Sequence, residues 1–257
     1  MRQFLFLVLC LSLSTKVRAW GTIGHRVVGK LAEDRLSEAS KKKVRELLGR
    51  ETLADVANWP DWIKSDPAWK HAGPWHYMSI ADGQKLKSFK HGPQGDIYEA
   101  IQRFTKELKD QKLPKEKRRE ALAFLVHLIG DVHMPLHVGR GDDAGGNKIE
   151  LKWFGKRTNL HEIWDEKIIE MERMSYSDYA AWVDKASAEE EKAWAQEPLE
   201  KWLEESQGLR PLVYDYPKAK PLPRYWEYEY RYKTSKVLNE RLLKAGVRLA
   251  AWLEANL

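Results

Sequence analysis

The sequence predicts a single, mostly α-helical domain with one short β-hairpin. Apolar residues recur at three- and four-residue steps through most long segments, which is the period of an amphipathic helix. Strand-like sequence is confined to residues 147–154, "NKIELKWF". We find no internal repeat, no low-complexity segment and no linker that would divide the 257 residues into several domains.

The first 19 residues are predicted to be a secretory signal peptide. Arg2 precedes an apolar run at 4–13, and about ten residues are too few to span a membrane as a mature helix. Residues 17–19, "VRA", fit a small-residue cleavage site. The alternative is an N-terminal membrane anchor. Cleavage after Ala19 would leave one domain, residues 20–257, in a secreted or periplasmic protein.

The only cysteine, Cys10, lies inside this predicted leader. The mature chain would then be an exported protein without disulfides, which must be held together by core packing or by metal. Its net charge would fall from +6 to near +3 with the loss of Arg2, Lys16 and Arg18. Such a small charge permits an anionic substrate but does not argue for one.

The individual elements follow from periodicity and from the prolines that stop helices. Helices are predicted, in chain order, at 27–36 with a continuation to 48, at 97–108, from 114 to near 135, at 161–171, at 178–206 in one or two pieces, and at 230–255. The hairpin is predicted at 147–154 with "GDDAGG" as its loop, and "YDYPKAKPLPRY" is typical of a proline-rich surface loop.

Histidine and aspartate are concentrated in "HLIGDVHMPLH" (127–137) and "HEIWD" (161–165). His127 and Asp131 are four residues apart, as are His161 and Asp165, so each pair would lie on one face of a helix. Imidazole nitrogens and carboxylate oxygens are zinc ligands, and a carboxylate on a buried helix is costly unless it is paired or metal-bound. With His137 these residues exceed the needs of one tetrahedral zinc and predict a multinuclear site. Each histidine taken alone is also compatible with a hydrogen-bonded core residue.

The predicted mature N-terminus, "WGTIGH", offers further ligands. After cleavage, Trp20 would carry a free α-amino group, and an amine can chelate a metal together with its own carbonyl oxygen. His25 could supply a third ligand. The alternative is that Trp20 is only a terminal aromatic residue and His25 only the start of a helix.

Six motifs, in this order, resemble those of the S1/P1 zinc-dependent nucleases, and the chain is identified as a bacterial-type member. They are "WGTIGH", "ANWPDWIK" (57–64), "PWHYM" (74–78), "HLIGDVHMPLH", "GGN" (145–147) and "HEIWD". The resemblance implies the phospholipase C/P1 nuclease-like fold, a trinuclear zinc cluster, and hydrolysis of single-stranded DNA and RNA to 5′-phosphorylated products, with 3′-nucleotidase activity as a further possibility.

The resemblance also implies which residues hold the three zinc ions. The first ion would be held by Asp61, His76, His127 and Asp131. The second would share Asp131 and add Trp20 and His25. The third would be held by His137, His161 and Asp165. His133 also matches its motif, but it is not a ligand in the family, and we expect it to orient one.

Four further residues are predicted to act on the substrate. The resemblance places Lys64 near the phosphate, where a cation offsets transition-state charge and acts together with the ligand Asp61. Asn147 would donate to a phosphate oxygen or position water. Tyr77 would stack on a base, and Ser79 stands where relatives often have an acid, so we expect stacking without strong base preference.

Two other functions remain open from the sequence. Zinc-dependent phospholipase C has the same fold and zinc arrangement, although the short spacing in "WGTIGH" and the "GGN" run favour a nuclease. A non-catalytic zinc-binding periplasmic protein is the second alternative. We expect the mature protein to be a monomer that acts on nucleic acid or nucleotides and not on a membrane.

Overall fold

A computed structural model describes residues 20–257. The predicted signal peptide, including Cys10, lies outside the described residues. Helices dominate the described chain, and its one sheet has two antiparallel strands, so the predicted fold class is confirmed. None of the helices between residues 20 and 257 combines the length and the apolar character needed to span a bilayer.

The helices follow the predicted order along the chain. They are α1 (Thr22–Arg35), α2 (Glu38–Leu48), α3 (Leu53–Val56), α4 (Trp59–Trp62), α5 (Ile97–Lys109), α6 (Lys115–His133), α7 (Leu160–Glu162), α8 (Ile168–Glu170), α9 (Tyr176–Val183), α10 (Ala188–Ala195), α11 (Leu199–Gly208), α12 (Arg210–Val213) and α13 (Trp226–Asn256). Short 3-10 segments lie at Ile63–Ser65, Pro67–His76, Leu86–Ser88 and Pro135–Val138. A π-helical segment, Ile163–Lys167, joins α7 to α8.

Helix α6 runs through the centre of the molecule, and all of its residues from Ala121 to His133 are buried. Its sequence there, "ALAFLVHLIGDVH", is apolar on every side, which is typical of a helix surrounded by others. Helices α5 and α13 pack against it, and α1 packs along α13. Phe104 of α5 stacks on Phe124 of α6 with ring centroids 4.3 Å apart. The polar side chains of α6 therefore project into the core.

The β-hairpin lies later in the chain than predicted. Strands β1 (Glu150–Trp153) and β2 (Lys156–Asn159) pair through a two-residue turn at Phe154 and Gly155, whose φ angles are 47° and 78°. The "GDDAGG" stretch instead forms turns before β1, so its prediction as the hairpin loop was wrong. Sequence rules did not predict this turn, because they favour Asn-Gly or Asp-Gly there and not a phenylalanine with positive φ. The Phe154 N–H donates to the Glu227 carboxylate at 2.9 Å, which stabilises this conformation.

The stretch predicted as one or two helices at 178–206 contains three, α9, α10 and α11. Helix α10 begins at Ser187, whose hydroxyl and backbone form a capping box with Glu190. Helix α11 begins after Pro198, which cannot continue the preceding helix. Apolar periodicity continues across both breaks, so it predicted fewer helices, whereas the capping box and the proline mark where the helices begin.

Candidate metal centre

Helix α6 contributes His127 and Asp131, both fully buried. The His127 Nδ1–H donates to the carbonyl of Ala57 at 2.7 Å. This fixes the tautomer, so the Nε2 lone pair points towards Asp131, whose Oδ2 is 3.1 Å away. The predicted pair therefore presents one nitrogen and one carboxylate to the same point in the core.

Asp61 and His76 complete a first group of ligand-type atoms around His127. The His76 Nδ1 lies 3.0 Å from His127 Nε2 and 3.9 Å from Asp61 Oδ1. The distance from His127 Nε2 to Asp61 Oδ1 is 3.6 Å. A tetrahedral zinc with nitrogen and oxygen ligands at 2.0–2.1 Å separates its ligand atoms by about 3.4 Å. The three atoms therefore have the spacing of a zinc site.

His25 forms a second group with His127 and Asp131. Its ring stacks on that of His127, with centroids 3.8 Å apart and an angle of 16° between the planes. Its Nε2 lies 3.3 Å from Asp131 Oδ1, whereas Asp131 Oδ2 lies 3.1 Å from His76 Nδ1. The two oxygens of this carboxylate thus face two different groups, as a bridging ligand requires.

Trp20 is docked beside this second group. Its side chain is fully buried, and its indole N–H donates to the carbonyl of Gly130 in α6 at 2.8 Å. The next residue, Gly21, donates its N–H to the Asp165 carbonyl at 2.9 Å. A Cβ at Gly130 would lie 3.0 Å from His25 Nδ1, so the glycine leaves room for the imidazole. The beginning of the described chain is therefore held between α6 and the π-helical segment.

His137, His161 and Asp165 form the third group. The His137 Nδ1–H donates to the His76 carbonyl at 2.6 Å, and the His161 Nδ1–H donates to the Gly145 carbonyl at 2.7 Å. The Nε2 of His161 lies 3.0 Å from Asp165 Oδ2. Asp165 is in the π-helical segment, a local widening of the helix that is frequent at functional sites. Asp165 lies four residues after His161 and faces it across this turn.

These groups fit a bound metal because many of their polar atoms are buried without a hydrogen-bond partner. Among residues 20–257 this is true of His25 Nδ1 and Nε2, His76 Nε2, Asp131 Oδ1 and both carboxylate oxygens of Asp165. One such unpaired atom costs about 1–3 kcal/mol. Cations coordinated by the carboxylates and imidazoles would satisfy most of them, and this donor set is the one that zinc takes in proteins.

Burial sets the protonation of the centre. It lowers the pKa of His76 to about 3 and that of His137 to about 4, so both imidazoles are neutral at pH 7 and offer a lone pair. Burial also raises the pKa of Asp165 to about 8. It opposes the ionisation of Asp131 as well, but the interaction with His127, whose own pKa is raised, outweighs it and holds the Asp131 pKa well below its usual range. An adjacent cation is what would fully ionise Asp165 at neutral pH.

Of the predicted substrate residues, Lys64 contacts a ligand-type side chain directly, and Asn147 lies close in the chain to a carbonyl that such a side chain uses. The Lys64 Nζ lies 2.5 Å from Asp61 Oδ1, and both side chains are partly accessible to solvent. Asn147 follows Gly145 and Gly146 in the chain, and the Gly145 carbonyl accepts a hydrogen bond from the His161 imidazole. Its side-chain amide donates to the Ala144 carbonyl at 2.9 Å, and an NH₂ group has a second hydrogen to donate.

Tyr77 and Ser79 lie on the strand-like segment that follows His76. Tyr77 is half-buried, and its backbone carbonyl accepts from the Ile97 N–H at 3.2 Å. Ser79 is exposed and lies against Gly141. Within residues 20–257, Ser79 makes no hydrogen bond to any of the three groups.

His133 lies on the opposite side of α6 from the centre. Its Nδ1–H donates to the Ile129 carbonyl at 2.7 Å, and its Nε2 accepts from Arg248 at 2.8 Å. Its ring contacts Trp202 at 5.3 Å between centroids. The expectation that His133 orients a ligand was therefore wrong, because its contacts are with the arginine-rich part of the core.

His91, Asp96 and Glu99 form a fourth group of ligand-type residues at the surface. Asp96 is already engaged, since it caps α5 through the N–H groups of Tyr98 and Glu99 and pairs with His91 at 2.6 Å. Its role at the helix start explains this group without a metal.

Residues 20–257 match the sequence profile of the S1/P1 nuclease family. This chain belongs to that family. It is 30% identical to Endonuclease 2 of Arabidopsis thaliana over 92% of this chain and 90% of the relative. It is 28% identical to Nuclease S1 of Aspergillus oryzae over 95% and 94% of the two chains. Its identity to Nuclease P1 of Penicillium citrinum is 33%, over 57% of each chain.

Membership in the S1/P1 nuclease family defines the activity in general terms. The protein is a nuclease, a hydrolase that acts on phosphodiester bonds of nucleic acid. Nucleases of this family are zinc-dependent, and the His and Asp groups of this chain could bind metal.

Proposed function

We propose that the protein is a three-zinc endonuclease that hydrolyses single-stranded DNA and RNA to 5′-phosphorylated products. A nucleotide with a terminal 3′-phosphate is a monoester that contains the same bond between phosphorus and the 3′-oxygen, so the proposal includes 3′-nucleotidase activity. The observation that carries it is the set of buried, unpaired imidazole and carboxylate atoms in three adjoining groups. Atoms left in this state are costly in a core unless cations are present.

The three groups suggest how the ions would be shared. Asp61, His76, His127 and Asp131 would hold the first zinc. Asp131 would also contribute to the second, because its two oxygens face different imidazoles. His137, His161 and Asp165 would hold the third.

The second zinc would depend on processing of the chain. His25 and Asp131 supply two of its ligands, and the α-amino group and carbonyl oxygen of Trp20 would supply the others after cleavage behind Ala19. The indole of Trp20 supports this arrangement, since its hydrogen bond to Gly130 fixes the residue next to His25. Export by a signal peptide would place the mature, monomeric enzyme in the periplasm or outside the cell.

Bound zinc supplies two effects, a lowered pKa of bound water and neutralisation of charge on the attacked phosphate. The chain adds a positive charge at Lys64, close enough to Asp61 to lie at the edge of the centre. There an ammonium would stabilise the extra negative charge of the transition state. Asn147 would bind a phosphate oxygen or orient water through its remaining N–H.

Base binding would use the segment after His76. Tyr77 would stack on a base, an interaction worth about 1–3 kcal/mol and tolerant of sequence. Ser79, exposed beside Gly141, would add at most a weak hydrogen bond to a base edge. We therefore expect little discrimination among bases.

The test is a comparison of substrates with the processed protein. It should cleave single-stranded DNA and RNA and leave 5′-phosphates, a chelator should abolish the activity, and zinc should restore it. Phosphatidylcholine should not be hydrolysed. Cleavage of the lipid alone would identify a phospholipase, and zinc binding without hydrolysis of any phosphate ester would identify a binding protein.

A further inference from the structure

Arg210, the first residue of α12, is a cation buried among backbone carbonyls. It is 3% exposed. Its Nε donates to the Val138 carbonyl, its Nη1 to the Ile80 carbonyl and its Nη2 to the Gly139 carbonyl, each at 2.8 Å. A guanidinium has five N–H donors in a planar fork, so one side chain can bind three carbonyls at once.

Those carbonyls belong to two segments that run beside each other at the metal centre. The Met78 N–H donates to the His137 carbonyl at 2.8 Å, and the Ile80 N–H donates to the Gly139 carbonyl at 3.0 Å. The first segment continues from His76 through Tyr77, and the second carries His137. Arg210 lies at the end of this pairing and holds both segments to α12.

The charge of Arg210 is only partly balanced by an acid. Asp82 Oδ1 lies 3.5 Å from its Nη1, but the same carboxylate also pairs with Arg140, whose Nη2 lies 2.9 Å from Asp82 Oδ2. Arg140 in turn lies over the Tyr214 ring at 4.0 Å. Burial lowers the pKa of Arg210, so the buried cation has a cost. A methionine or leucine would avoid that cost but would leave the Val138, Ile80 and Gly139 carbonyls without this donor. The fork of donors is therefore the property of Arg210 that an apolar residue cannot replace.

We propose that Arg210 is a positioning residue that fixes His137 relative to the base-binding segment 77–80. Substituting it would let the His137 loop separate from that segment, which would weaken the third metal group and base binding together. This inference rests on the proposed function, because it assigns a consequence to the zinc and substrate roles of those segments.

The experiment compares Arg210→Met and Arg210→Lys with the processed wild-type enzyme. Arg118→Met is the matched control, since Arg118 also donates to a backbone carbonyl, Leu108 at 3.0 Å, but joins α6 to α5 away from the centre. Zinc per folded molecule is measured during titration with a chelator, and kcat and KM are measured on single-stranded DNA. Circular dichroism and thermal melting report folding.

Both Arg210 variants should lose one zinc at a chelator concentration about tenfold lower than the wild type, in the range known for residues that support a metal ligand. Their KM should rise by a similar factor. Lysine should recover only part of the loss, because its three N–H donors are on a single nitrogen and cannot span three carbonyls as the guanidinium does. Arg118→Met should lower the melting temperature alone. If Arg210→Met does not fold, Arg210→Lys decides the matter by the same readouts.

Unchanged zinc retention and KM in a folded Arg210 variant, with a lowered melting temperature, would overturn the inference and leave the proposed function intact. A wild-type enzyme that binds no zinc and cleaves no single strand would overturn both.

Discussion

The first region of the protein, residues 20–165, and the second region, residues 166–257, both bury charged side chains, but these side chains have different partners. The first region contains every side chain of the three metal groups, and several of its buried nitrogens and oxygens have no protein partner within the described residues. The second region buries Arg210, Arg241 and Arg248, and these arginines donate to backbone carbonyls and carboxylates. Arg248 Nε and the Tyr214 hydroxyl also lack a partner within residues 20–257, but each is an isolated atom, whereas the unpaired histidine and aspartate atoms of the first region converge on groups of ligand-type residues. That convergence indicates a place for a ligand, and the carbonyl and carboxylate pairs of the arginines indicate a structural support.

Residues of the second region donate hydrogen bonds to the C-terminal end of α6. The last carbonyls of any helix lack partners within the helix. Arg241 donates to the His133 carbonyl at 3.0 Å, and the Ser206 hydroxyl donates to the Val132 carbonyl at 2.6 Å. A cation at a helix C-terminus is also favourable for the helix dipole. The second region thus fixes the point at which the chain leaves α6 for His137.

The largest effect should come from Asp131→Asn, which removes the carboxylate shared by two groups. We expect activity to fall by more than about 100-fold, beyond the 10–100-fold typical of residues that only support a ligand. Zinc content should fall as well. The measurement is kcat/KM on single-stranded DNA together with elemental analysis.

Asp96→Asn is the matched control, because Asp96 is also a buried carboxylate but caps α5. Asparagine is an equally good N-cap and keeps an oxygen for the N–H groups of Tyr98 and Glu99, so only the pair with His91 is lost. Asp96→Asn should therefore cost less than about 1 kcal/mol of stability and leave activity per folded molecule unchanged. Full activity in Asp131→Asn would remove the distinction between the two regions.

An uncleaved extension before Trp20 should have the next largest effect. A peptide bond in place of the α-amine removes one ligand, so we expect loss of one zinc and a decrease in activity of at least about 10-fold. Mass spectrometry verifies the N-terminus, and the same extension placed after Leu257 is the control. An extended protein that equals the processed one in zinc and rate would contradict the role of Trp20.

In the second region, Glu205→Gln should affect stability and spare activity. Glu205 accepts from Arg248 at 2.7 Å and also pairs with Arg241, so the substitution leaves two buried cations less well balanced. We expect a loss of roughly 2–4 kcal/mol, below the full cost of breaking a buried pair because Glu205 is partly accessible. Urea unfolding measures the loss, and zinc content per folded molecule should equal that of the wild type.

The same pair gives a pH dependence with a defined sign. Burial opposes ionisation of Glu205, but Arg248 and Arg241 outweigh it and lower its pKa from 4.5 to about 2. Its stabilisation is therefore complete above pH 4.5 and is lost as the pH falls towards 2. The stability difference between wild type and Glu205→Gln should shrink over that interval, and a difference that grows instead would refute the assignment.

Ser79→Ala should have the smallest effect. Ser79 is exposed and has no hydrogen bond to the metal groups within the described chain, so we expect KM to change by less than about threefold, the equivalent of a weak hydrogen bond. A large change in base preference would show that base reading depends on this residue.

The sequence predicted the parts of the fold that rest on long periodic segments. Helices α1, α5, α6 and α13 have apolar periods that are clear without tertiary contacts. The hairpin register was missed because its turn places Phe154 at positive φ, a conformation supported by Glu227 from a distant helix.

The candidate site was predictable in two steps. Spacing alone identified His127 with Asp131 and His161 with Asp165, since each pair lies within five residues. Asp61 and His76 come from short helical turns without a regular period, so only resemblance to a family could select them.

The arginines of the second region carried no sequence signal at all. Arg210 binds carbonyls more than 70 residues earlier in the chain, and backbone carbonyls are present at every position. A search of the sequence for acidic residues close to each arginine would also have missed the role of Arg210, because its closest partners are carbonyls. Contacts of this kind become visible only when the tertiary structure brings the two regions together.

The most direct test of the whole account is the zinc content of active, processed protein, with each ion located by anomalous scattering. We predict three ions per chain, at Asp61–His76–His127–Asp131, at Trp20–His25–Asp131 and at His137–His161–Asp165. Fully active protein with one ion or none would contradict the account.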